Sequence, residues 1–233
     1  MTATTIIALT GAAGAGKDSA ANILATHARF TRLAFADPLR AEVAHAFDLT
    51  ARADLLSGRD TKDTPHDALA LRNCKSFCFI GAVALATHAC VNSAWLDAPR
   101  SPRQVLQWWG TEYRRAENPA YWTRALALRL SAAVKANGTR FVITDCRMAN
   151  ELALVRNLGG VLWRLHRPGL QPVEGQHSSA AEWQGFDANA EIRNHGTLMD
   201  LRTEVLRQWW AMDSGLAAHE VAVHIAQPAA VAP

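Results

Sequence analysis

Residues 11–17 read Gly-Ala-Ala-Gly-Ala-Gly-Lys, which is glycine and lysine at the G-x-x-x-x-G-K spacing of a phosphate-binding loop. The chemistry needs these residue types. Glycine at 11, 14 and 16 lets the backbone take up positive φ and turn its N–H groups onto phosphate oxygens with no Cβ in the way. Ala13 and Ala15 complete the same cradle of amides. Lys17 brings a point charge to the β and γ phosphates, and the helix that follows adds its positive N-terminal end. A turn of small residues in an alanine-rich chain would spell much the same, so the context decides. An apolar run precedes the loop and a helical pattern follows it, as a strand–loop–helix nucleotide site requires.

Asp18 stands where a serine or threonine would hold Mg²⁺. A carboxylate is an equally hard oxygen ligand, yet it repels phosphates unless a metal or an arginine intervenes. The reading therefore gives Mg²⁺ to Asp18 and ties nucleotide binding to the metal. Ser19 is about 100° further round the helix and is the poorer ligand.

Further residues able to handle charge lie downstream. Asp37 and Arg40 are spaced i, i+3 and can face one pocket; an N-capping aspartate beside a solvated arginine is the structural alternative. Arg103, Gln104 and Gln107 share a helix face that runs on into Glu112, Arg114 and Arg115. Trp108 or Trp109 could stack on a base or fill the core, and Tyr121 and Trp122 carry the same two readings. Asp145 ends the apolar run Phe141–Asp145, at the strand end where open α/β sheets hold ligands. Arg147, Asn150 and Glu151 follow it. Arg164 and Arg167 bracket the entry to a stretch rich in Gly, Ser, His and Gln, where an arginine can stabilise charge on a transferred phosphoryl group.

These residues must be positioned by elements. Thr5–Leu9, Phe141–Asp145 and Val161–His166 read as buried strands, with Arg32–Phe35 and Glu191–Arg193 as shorter ones. Helices are expected over Lys17–Ala28, Asp37–Phe47, Ser101–Glu112, Pro119–Ala136, Glu151–Leu158 and Leu198–Trp210. Thr50–Pro65 reads as an exposed loop, and residues 66–100 give no clear period. Strands alternating with helices imply an α/β fold on a mainly parallel sheet.

Composition narrows the function classes. The chain has 233 residues, 49% of them hydrophobic and 19% charged, enough for a sizeable core. A formal net charge of +3 does not argue for a nucleic-acid polymer. No run reaches the roughly 18 apolar residues of a membrane span, and the N-terminus lacks a signal-peptide pattern. Cys74, Cys78, Cys90 and Cys146 are expected as free thiols in a reduced cytoplasm. Cys74, Cys78, His88 and Cys90 invite a zinc reading, but their spacing is looser than in structural zinc sites.

A phosphate loop ending in "GKD" and followed by "FADPLR" resembles the deoxynucleoside monophosphate kinases of bacterial viruses. "RQVLQWWGTEYRR", "VITDCRMANE", "RLHRPG" and "IRNHGT" extend that resemblance in order along residues 5–210. It implies a three-layer P-loop fold with helices on both faces of the sheet and a small lid. It further implies ATP and Mg²⁺ as cofactors and a deoxynucleoside monophosphate as acceptor, with Arg40 on the acceptor phosphate. Residues 103–115 would line the acceptor base and sugar, and Asp145, Arg147, Asn150 and Glu151 match the family pattern. Backbone near Asn194 and Gly196 would read adenine, unless "RNHGT" is a plain strand-to-helix turn. The lid stretch at His177 and Glu182 is a looser match.

On this reading residues 1–212 form the kinase domain, with an acceptor-side helical insertion at 50–100, a lid-like segment at 168–189 and a tail at 213–233. Neither a polymeric nucleic acid nor a membrane is a partner, and a homodimer is compatible. The location is cytoplasmic, in a host cell if the gene is viral. Other small-acceptor kinases similar to dephospho-coenzyme A kinase, and a non-kinase ATP switch, stay open as alternatives.

Overall fold

The β-branched, apolar run Thr5–Thr10 forms β1, whose last five residues are all buried. In a computed structural model, which describes residues 4–58, 61–170 and 182–215, the chain then runs through α1 (Lys17–Ala28) and β2 (Thr31–Leu33). It continues through α2 (Ala36–Ala46), α3 (Phe77–Thr87), α4 (Ser93–Asp97) and α5 (Pro102–Gln107). After α6 (Tyr121–Lys135) come β3 (Arg140–Ile143), α7 (Ala149–Asn157), β4 (Val161–His166), β5 (Ala190–Arg193) and α8 (Leu198–Ser214).

Two compact units result. The first comprises the described residues of Met1–Ala34 and Leu130–Pro233, the second Phe35–Arg129. In the first, five strands pair in the order β2-β3-β1-β4-β5, every pairing parallel. Side chains alternate across the sheet. Ile7, Leu9, Val142, Trp163, Leu165 and Ile192 face α1 and α8, where Leu24, Val205 and Trp209 close the core. Helix α7 covers β1 and β4 with Leu152 and Val155 buried. The fold is thus α/β in three layers, as expected. All five strands present their carboxyl ends on one edge, which is where such sheets carry their sites.

The second unit has its own core. Phe79 is fully buried, with ring centroids of Trp109 and Tyr113 at 4.6 and 5.9 Å. Thr50–Leu56, expected as an exposed loop, is a 3-10 stretch that sinks Leu55 and Leu56 into this core. Residues 66–100 resolve into two 3-10 turns, α3 and α4. The helix expected over Ser101–Glu112 divides: α5 gives way to a π-helical stretch, Trp108–Arg115.

Other bounds shift too. Asp37 does not cap α2 but lies within its first turn, with Pro38 where a missing N–H costs nothing. Strand β2 ends at Leu33, two residues before the expected Phe35. Regular pairing of β3 stops at Ile143, so Asp145 lies just beyond the strand. Helix α8 runs through Ser214 and closes on Gly215 in the left-handed conformation, taking in the first residues expected as tail. Residues 171–181, with His177, and 216–233 lie outside the described part. Among the described residues no helix is long and apolar enough to cross a membrane.

Candidate functional site

The loop between β1 and α1 is built around two positions that admit only glycine. Gly11 has φ of +132°, and a Cβ there would lie 2.3 Å from the Leu165 carbonyl oxygen. Gly16 has φ of +100°, and a Cβ would meet Asn194 Nδ2 at 2.6 Å. Asn194 is itself buried. Its side-chain amide donates to the Ala15 carbonyl at 3.0 Å, and its backbone N–H donates to His166 at 2.8 Å. The residue after β5 therefore fastens the loop to the sheet. Lys17 Nζ donates to the carbonyls of Gly11 and Ala12, both at 2.7 Å, so the ammonium is held within the arc of the loop. Ala13 and Gly14 are exposed at its crest.

Around this loop the sheet edge adds charge. The Cys146 N–H donates to the Leu9 carbonyl and the Thr144 N–H to Leu33, which carries half-buried Asp145 across the carboxyl ends of β1 and β2. Glu151, only 2% exposed, accepts from the N–H groups of Arg147 and Met148 at 2.8 and 3.2 Å. Its carboxylate holds the turn after Asp145 and opens α7. Burial, with the Glu151 and Asp145 carboxylates nearby, pushes the Cys146 thiol far up, so it is inert at neutral pH. Asp18 lies 3.6 Å from the guanidinium of Arg32 on β2. An arginine thus answers the charge that made Asp18 unusual in the sequence. Asp18 and Asp145 are hard oxygen donors of the kind Mg²⁺ takes, one or two carboxylates together with phosphate oxygens.

The two arginines at 164 and 167 differ. Arg164 is committed to structure, pairing with Glu191 at 3.0 Å and donating to the carbonyls of Gln184 and Phe186. Arg167 is exposed. Leu170 turns back so that its methyl groups lie 3.6 Å from where a Cβ on Gly14 would stand. Glu182 accepts from the Ala149 N–H at 3.1 Å, a second tie on the start of α7. Asn150 is half-buried in the first turn of that helix. Ser19 is half-buried in the first turn of α1, and Gly196 is exposed before α8.

The second unit holds a pocket of about 700 Å³ lined by Asp37, Pro38, Arg40, Ala41, Glu42, Ser57 and Arg129. Of the residues expected on the acceptor side, Asp37 and Arg40 line it. Arg114 reaches it through Glu42, which accepts from Arg114 Nε at 2.9 Å, Trp109 Nε1 at 2.8 Å and the Tyr121 hydroxyl. Arg103 is instead tied to Asp63, and that partner lowers the Asp63 carboxyl below its usual range. Gln104 is exposed and Gln107 half-buried on α5. Trp108 is half-buried with the Arg100 guanidinium 5.7 Å from its ring, and Glu112 and Arg115 are half-buried beyond it. Trp109 and Trp122 are core residues, so neither is available to stack on a base.

Glu42, Ser57, Arg129 and Arg32 were not singled out from sequence. Cys74 is buried, whereas Cys78 and Cys90 are exposed, and no group of three or more His, Cys, Asp or Glu gathers among the described residues as a metal site.

No family model matches the sequence. A protein of Acanthamoeba polyphaga mimivirus, assigned provisionally by its name as a deoxynucleotide monophosphate kinase, is 24% identical over 217 residues. The match covers 86% of this chain and 94% of that protein. The relative is viral, and nothing in the match singles out the bacteriophage type. Solved structures with similarity include TT1252 from Thermus thermophilus, at 16% identity and a TM-score of 0.47, covering 90% of this chain and 98% of that one. The dephospho-CoA kinase from Campylobacter jejuni matches at 14% identity and a TM-score of 0.44, covering 91% and 98%. Likeness of that degree does not bear on substrate.

Proposed function

We propose that this chain is a phosphotransferase that moves the γ-phosphoryl group of ATP to a deoxynucleoside monophosphate, giving ADP and the deoxynucleoside diphosphate. The observation that carries the reading is the loop at 11–17, where Gly11 and Gly16 occupy positions a Cβ would fill and Lys17 is gathered into the arc. A glycine-dependent turn gathered round an ammonium at the start of a helix suits a polyphosphate.

In this reading the loop amides and Lys17 hold the β and γ phosphates. Asp18 and Asp145 would hold Mg²⁺, which when bound neutralises charge between the phosphates. Asp37 and Arg40 serve the acceptor, whose phosphate oxygen is already anionic near neutral pH and needs no strong base. That oxygen bonds to the γ phosphorus as the bond to the β-phosphate oxygen breaks, and ADP leaves. Arg167 is assigned to the charge developing on the transferred group. The name of the mimivirus relative supports a deoxynucleotide acceptor.

The test is ADP release from ATP and Mg²⁺ with each deoxynucleoside monophosphate, its ribo counterpart and dephospho-coenzyme A in turn. The expected result is turnover that needs a deoxynucleotide and that falls by at least about a hundredfold in Lys17→Ala. Release stimulated only by dephospho-coenzyme A would move the activity to that class of kinase. ATP binding with no stimulating acceptor would leave a nucleotide switch.

A further inference from the structure

We propose that Arg129 is the second arm of a phosphate clamp, gripping the acceptor's monophosphate together with Arg40 across the carboxylate of Asp37. The proposal rests on the kinase reading above and adds to it a residue with no assigned role. Asp37 stands between two guanidiniums from different helices. Arg40 Nη1 of α2 lies 3.5 Å from one carboxylate oxygen and Arg129 Nη1 of α6 lies 3.6 Å from the other. Both separations exceed the 2.7–3.2 Å of a made hydrogen bond. The two arginines are therefore held by charge, not by the bidentate geometry that guanidinium forms with an oxyanion when it is fully engaged. Their side chains are 38% and 45% exposed, and both line the 700 Å³ pocket. Arg40 Nε is also buried without a partner among the described residues.

Charge decides what the pocket accepts. Glu42 is matched by Arg114 and takes two further donors. Arg40 and Arg129 are then two guanidiniums sharing the single carboxylate of Asp37, facing a space within the size range of small-ligand sites. A phosphate monoester, with up to two negative charges and three terminal oxygens, offers each guanidinium the planar pair of acceptors that the shared carboxylate does not. Anchored on separate helices, the two arms would fix the phosphate's orientation as well as its charge. Were Arg129 only a surface partner of Asp37, its loss would barely touch stability and binding not at all.

The experiment is calorimetric binding of dAMP, dCMP, dGMP, dTMP, the corresponding nucleosides and, in a separate titration, ATP, on the native chain and on Arg129→Gln, Arg129→Lys and Arg40→Gln. The expected result is that Arg129→Gln weakens the monophosphates about tenfold to a hundredfold, leaves nucleoside and ATP affinities as they were, and is partly rescued by Arg129→Lys. Unchanged monophosphate affinity in a folded Arg129→Gln, with affinity lost in Arg40→Gln, would overturn the clamp and leave the kinase reading intact. A native chain that binds ATP but no monophosphate would overturn both.

Discussion

Glu42 illustrates what a single buried-edge carboxylate organises. One side chain accepts from Trp109, Arg114 and Tyr121, and the Arg114 guanidinium lies 4.5 Å from the Tyr113 ring centroid and 4.8 Å from that of Tyr121. Removing the carboxylate strands three donors at once, which costs about 1–3 kcal/mol for each one left without water. The same arrangement sets a titration. Burial first, then the hydrogen bond and charge of Glu42, push the Tyr121 hydroxyl up to about 12, against the opposing charge of Arg114. A raised value means the folded state keeps its proton when the unfolded chain has lost it. The contribution to stability is therefore whole below pH 10 and drains away as pH climbs towards 12. Absorbance titration in a Tyr113→Phe background should show this late ionisation, and Glu42→Gln should bring it down towards the ordinary tyrosine range. A Tyr121 that already ionises near pH 10 in the native chain would contradict the arrangement.

At the scale of elements, the β1–loop–α1 unit was legible because every local signal agreed: a β-branched run, glycines at fixed offsets, then a helix with Asp18 in its first turn. Its glycines are nevertheless unequal. At Gly11 an added Cβ would collide with backbone, the Leu165 carbonyl, which cannot step aside; at Gly14, among the described residues, it would meet only the methyl groups of Leu170 at 3.6 Å. Gly11→Ala should then cost well over the roughly 1–3 kcal/mol of backbone strain alone, whereas Gly14→Ala should cost about that strain and no more. Urea unfolding of the two variants checks the order, and equal losses would show that the loop yields at residue 11. Elsewhere the local signals misled. The Trp108–Arg115 stretch repeats like an α-helix in sequence, but its π-helical turn brings Trp109 and Tyr113 into one core and aims Arg114 at Glu42. Long-range packing sets that choice of hydrogen bonding, and no spacing within those eight residues encodes it. The partnership of Asp37 with Arg129 was hidden for the same reason, since 92 residues of chain separate them.

At the scale of the whole molecule, the parallel sheet was expected from strands alternating with helices, but neither its strand order nor the division at Ala34 and Arg129 was. Residues 50–100 bury leucines singly or in pairs from short 3-10 turns, Leu55 with Leu56 and Leu69 near Leu71, which leaves no period to detect. The aromatic centre that collects them is assembled from Phe47 at the end of α2, α3 and the π-helical stretch. The two apolar clusters have no residue in common: one gathers Ile7, Trp163 and Trp209, the other Phe47, Phe79 and Trp109. A cavity in one should therefore be felt first by its own unit. Phe79→Ala removes a fully buried ring and should cost about 3–5 kcal/mol. Native-state hydrogen exchange would then show protection falling in the helices of residues 35–129 while the amides of β1, β3 and β4 keep theirs, because sub-global opening follows the contacts that were lost. A uniform drop across the sheet would mean that the units unfold as one, and that the separate cores do not make separate cooperative blocks.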